Sequence, residues 1–176
     1  MIPFTRHGVL VIVRLSDLEA EVLRDLAGQL TELLGDRATT HEAPTDAGSA
    51  AALFAQLGIG GSTVAPLDPA LARLLPDAYK NDLSASSEHR RLTEGGLVDR
   101  KIAHARLVVA SLTSSSITLD EAAAQSWLRT LTDLRLTIAS RLRIIDDGDE
   151  GTGDEALLDV YDWLGYLQGT LLDAIE

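Results

Sequence analysis

The 176-residue sequence predicts a mainly α fold, a helical bundle with a short N-terminal β-strand or hairpin. Apolar residues recur at steps of three and four through most of the chain, and capping signals precede several of these stretches. A strand-like run of β-branched and apolar residues is confined to Val9 through Arg14.

Val9, Val11 and Val13 alternate with Leu10, Ile12 and Arg14 after a His7-Gly8 turn. This is the pattern of one or two short strands, or of a hairpin with Phe4 to Arg6, and the β content is expected to end there. Ser16 and Glu19 then form an S-x-x-E capping box. Leu18, Val22, Leu26, Leu30, Leu33 and Leu34 hold one face of the helix that follows, which Gly35 is expected to stop.

From Asp36 to Pro69 the composition turns to Thr, Ala, Gly and Pro, as in a long loop or linker, with room for a short helix from Ala50 to Leu57. Pro69 is placed to open a helical turn through Leu75, and Pro76 marks the next boundary. Ser84 is placed to cap a helix through Leu92, and Thr93 to cap another that carries Leu97, Ile102, Ala105, Val109 and Leu112. The two are expected to meet near Gly95-Gly96. Thr118 and Glu121 read as a second capping box, opening a helix with Trp127, Leu131, Leu134, Ile138 and Leu142 on its stripe. Arg141 and Arg143 suit its negative end.

An acidic, glycine-containing loop at 146–154 leads to Leu157, Val160, Leu164, Leu167, Leu171 and Ile175, the seam of a final helix. That seam is expected to bury within the chain's own core, with a homodimer interface as the alternative. Length and pattern together predict one domain over 1–176.

The absence of cysteine excludes disulfides, thiolate metal sites and thiol chemistry, and fits a reducing compartment. The N-terminus does not read as a targeting peptide, and no stretch approaches the roughly 20 apolar residues of a membrane span. A cytoplasmic protein without a membrane partner is therefore expected. A net charge of -12 repels phosphate at long range unless basic residues gather locally. They gather between Arg73 and Arg106, through Lys80, Arg90, Arg91, Arg100 and Lys101, whereas Asp146 to Glu176 contains no Lys or Arg.

The chemistry-bearing motifs are incomplete. Gly58 to Ser62 lacks the Lys-Ser/Thr ending of a phosphate loop. His7, His41, His89 and His104 are scattered, so no metal site is expected. The acidic loop resembles the start of a calcium loop, but Gly148 takes the third ligand position and Leu157 the twelfth. No serine lies in a nucleophile motif, so neither an enzyme nor a cofactor is expected. Arg90, Arg91, Arg100, Lys101, His104 and Arg106 flank the predicted junction, as in a helix-turn-helix-like basic unit or a surface for an acidic protein. Glu88, Glu94 and Asp99 among them favour an ordinary solvated face. Trp163 and Tyr166 are either core residues or contact anchors.

Four phrases carry a family likeness: LLPDAY from Leu74, RRLTE from Arg90, WLRTLTDLRLTIASRL from Trp127 and YDWLGYLQ from Tyr161. From Leu74 onward the chain resembles an actinobacterial family long labelled a domain of unknown function, whose members carry the name oxidative stress transcriptional regulator, AosR. The resemblance implies a cytoplasmic regulator that acts with a sigma factor in oxidative stress, and brings no catalytic residues. A disulfide switch has no position here, and Met1, the only methionine, makes thioether oxidation a poor substitute. The resulting expectation is a non-enzymatic regulator working through protein contacts, with a sigma factor or another transcription component as partner. Direct DNA binding through the basic central helices and a small-molecule-binding bundle are the alternatives.

Overall fold

The computed structural model describes residues 1–39, 61–146, 149 and 151–176. In chain order its elements are β1 (Ile2–His7), β2 (Leu10–Arg14), α1 (Asp17–Thr39), α2 (Pro69–Leu74), α3 (Leu83–Ser111), β3 (Ser116–Leu119), α4 (Glu121–Arg141) and α5 (Glu155–Ile175). The architecture is mainly α, five helices and one three-stranded antiparallel sheet among the described residues. The expected 50–57 helix and most of the GIGGS stretch lie outside them.

The hairpin forms because Gly8 adopts φ 67°, a left-handed turn conformation open to glycine, so that His7 pairs with Leu10. Contrary to expectation, the β content does not end at Arg14. β3 lies antiparallel to β2, pairing Leu119 with Val11 and Ile117 with Val13. Its four residues are too few to declare a period, and the backbone bond from Leu15 N to Ser115 O (3.0 Å) helps dock the strand after α3 ends. Thr118 is thus a strand residue rather than a helix cap. Asp120 caps α4 instead, its Oδ1 accepting from Ala123 N at 2.8 Å.

Ser16 and Glu19 form the expected capping box: Ser16 N and Oγ donate to Glu19 Oε2, and Glu19 N donates to Ser16 Oγ. α1 nevertheless continues through Gly35 to Thr39. Glycine in a helix costs only about 1 kcal/mol relative to alanine, and the extension delivers Arg37 to a buried partner. α3 is likewise one continuous helix of 29 residues, without a break at Gly95-Gly96, and its N-cap is Asp82 rather than Ser84. Inside it Arg90 and Glu94, both buried, pair at i,i+4 and hold together the stretch where the break was expected.

Those two residues belong to a clamp that gathers four parts of the chain. Glu94, 3% exposed, accepts from Arg37 Nε of α1 at 2.8 Å and from Arg90 Nη1 at 2.5 Å. Arg90 also donates to Leu75 O (3.1 Å) and to Asp77 Oδ1 (2.7 Å) beyond α2, while Arg37 Nη2 donates to Val64 O (2.6 Å). Gly61 seats against the same spot: a Cβ there would stand 2.8 Å from Arg90 O and 2.9 Å from the Glu94 side chain. Only glycine fits that approach without movement.

The apolar core lies where the sheet meets α4 and α5. Trp127, fully buried, meets Phe4 of β1 edge-on at 5.7 Å between centroids and donates from Nε1 to Ser111 Oγ (3.0 Å) of α3. α5 buries Leu164, Leu167, Leu171 and Ala174 within the chain. α4 ends in a Schellman motif, in which Ile144 N donates to Ala139 O and Arg143 N to Ser140 O. Arg143 occupies its left-handed position at φ 57°. Arg143→Gly should therefore raise the thermal unfolding midpoint, by about 0.5–1 kcal/mol of stability. A fall in the midpoint would show that the arginine contributes more than its backbone costs.

Candidate functional site

Helical geometry sorts the basic residues of the central region. Arg100, Lys101 and His104 share one face of α3, whereas Arg106 is turned about 200° away from His104. Arg91 is exposed and forked onto Glu88 (2.7 and 3.0 Å) on its own helix. Arg90 is not at the surface at all, since it is consumed by the buried clamp. The continuous α3 also removes the turn that a helix-turn-helix unit requires.

Arg100, Lys101 and His104 meet Arg129, Thr132 and Asp133 of α4 across a cleft of ≈ 250 Å³, with Leu97 completing the wall. Lys101 Nζ donates to Asp133 Oδ1 at 2.6 Å. Burial pushes the Asp133 carboxyl above its usual range, outweighing the opposing pull of Lys101. Arg100 and Arg129 have no hydrogen bond or ion pair among the described residues.

His104 is half-buried, with Nδ1 3.1 Å from Ser126 Oγ. Ser126 Oγ donates its one proton to Ala122 O at 3.0 Å, so it receives a proton from the imidazole. That assignment places hydrogen on Nδ1 and leaves Nε2 as the open nitrogen. Burial, then the charges of Arg129, Lys101 and Arg100, lower the His104 pKa, and Asp133 opposes them. The cleft is thus locally electropositive in a chain of net charge -12.

Arg129, Thr132 and Asp133 escaped the sequence reading, which followed only the apolar stripe of α4. A second stripe was present: Ser126, Arg129, Thr130, Asp133 and Thr137 recur at steps of one to four, and it meets α3 through Ser126 and Asp133. Thr130 and Thr137 are buried and satisfied by bonds to carbonyls four residues back (2.9 Å each).

Trp163 and Tyr166 lie apart from this cleft, on α5. Trp163 borders an open groove of ≈ 200 Å³ with Leu18, Val22 and Val160, and its buried Nε1 has no hydrogen-bond partner among the described residues. Tyr166 is 53% exposed. With Asp159, Asp162 and Asp173 it forms an exposed stripe on a helix without Lys or Arg. No helix among the described residues is long and apolar enough to cross a membrane.

These features define a mainly α protein with a small sheet, a basic interhelical cleft and an acidic terminal helix. The chain belongs to the family described as a domain of unknown function, DUF2017, which matches residues 1–175. It is 31% identical to proteins named oxidative stress regulator AosR from Mycobacterium bovis and Mycobacterium tuberculosis, over 96% of this chain and 83% of theirs. A Mycobacterium leprae relative, also named for oxidative stress regulation, is 33% identical over 89% of this chain and 78% of its own. No solved structure matches.

The lowered His104 pKa makes stability depend on pH. The unfolded chain takes up a proton near the ordinary histidine value of about 6.5, while folded His104 resists it. Its contribution is present above that value and is lost as pH falls through the folded pKa. Urea midpoints should therefore drop between about pH 7 and pH 5, and drop less in His104→Gln. Parallel slopes for the two proteins would contradict the assignment.

Proposed function

We propose that this chain is a non-enzymatic regulator acting through protein contacts, with a sigma factor or another transcription component as its partner. The observation that carries the reading is the face of α5, where exposed Tyr166 stands among Asp159, Asp162 and Asp173 with no cation on the helix. Exposed aromatics supply contact area at low entropic cost and dominate interface energies. Surrounding carboxylates steer the face toward basic surfaces, such as those with which transcription proteins meet DNA. Kinship with proteins named oxidative stress regulators supports a regulatory role.

Affinity capture of the tagged protein from its native host at low salt should recover a sigma factor or polymerase subunit with or without nuclease. Recovery should decline with added salt and fall about tenfold in Tyr166→Ala/Asp162→Lys, equivalent to about 1.4 kcal/mol. Recovery of no transcription component would contradict the reading. Recovery only while nucleic acid is intact would transfer the role to direct DNA binding.

A further inference from the structure

We propose that the cleft between α3 and α4 is a binding site for a small phosphate monoester. Its phosphoryl group would meet Arg100 and Arg129 from opposite helices and His104 Nε2, with Leu97 against the carbon part. Four observations support the assignment. Arg100 and Arg129 border the same cleft, and both lack hydrogen-bond and ion-pair partners among the described residues. Guanidinium groups present paired donors that match phosphoryl oxygens.

The third cation, Lys101, is already neutralised by Asp133 at 2.6 Å and fixes the floor of the cleft. The imidazole is oriented by Ser126 with its acceptor nitrogen unoccupied, so it can gain a proton as the dianion arrives. A volume of ≈ 250 Å³ is close to the lower end of ligand sites, suited to a small monoester rather than a large cofactor. The inference is independent of the α5 reading, because it uses no residue of that helix.

Titration of the intact chain with inorganic phosphate at constant low ionic strength, followed through the His104 imidazole signals by NMR, tests the proposal. Saturable shifts are expected, together with a rise in the His104 pKa on binding. Arg129→Ala should weaken binding at least tenfold, and Arg100→Ala should behave alike. Neither residue has a hydrogen-bond or ion-pair partner to lose among the described residues, so an unchanged thermal midpoint verifies the fold. Arg106→Ala removes the same charge elsewhere on α3 and should leave affinity unchanged. Tyr166→Ala should also leave it unchanged, which separates this result from the fate of the protein-contact reading.

The proposal is overturned if phosphate gives no saturable shift, or if Arg106→Ala weakens binding as much as Arg129→Ala. It is equally overturned if duplex DNA moves the His104 signals while inorganic phosphate does not, which would assign the cleft to a nucleic-acid backbone.

Discussion

A carboxylate taken out of water must be compensated where it lies, and the position of Glu94 imposes that requirement on much of the molecule. Two guanidinium groups answer it, one from its own helix and one from α1. Arg37 can do so only if α1 passes Gly35, and Arg90 keeps its spacing only if α3 stays helical through Gly95-Gly96. The same arginines then hold carbonyls at Val64 and Leu75, which fixes the chain on either side of α2. Apolar burial around Trp127 drives collapse, but the clamp sets which stretch meets which.

Polarity inside the bundle is organised in the same way further along α3, about two turns beyond the clamp. α4 turns its apolar stripe to the sheet and α5, and its polar stripe of Ser126, Thr130, Asp133 and Thr137 meets α3 at Ser126 and Asp133. The hydroxyls are silenced by bonds to their own helix, so the charged members determine the character of that interface. Lys101 neutralises Asp133, which leaves Arg100 and Arg129 without an ion-pair partner among the described residues, beside His104. A chain that is acidic as a whole therefore carries a positive recess, together with an acidic stripe around Tyr166 along α5. The molecule thus presents two surfaces of opposite sign.

The helices were legible because their apolar residues repeat at helical spacing and all five begin at Asp or Ser side chains that accept backbone protons. Asp120 and Asp82 were overlooked because Thr118 and Ser84 fitted cap motifs nearby. The glycine readings at 35 and 95–96 failed for one reason: local propensity of about 1 kcal/mol is smaller than the cost of leaving a buried charge unpaired. β3 was invisible because its strand character comes from pairing with β2 rather than from its own four residues. Of the candidate site, Arg100, Lys101 and His104 could be gathered from one helix alone. Arg90 could not be told from its neighbours, since its burial depends on α1 and on the segment after α2.

The most direct test of this account is a double-mutant cycle on Arg37 and Glu94, read by urea unfolding. The account requires Glu94→Ala to cost about 3–5 kcal/mol, and the two substitutions to couple by about 1–3 kcal/mol. A cost near that of a surface pair, below about 1 kcal/mol, with additive single effects, would show that packing alone joins α1 to α3.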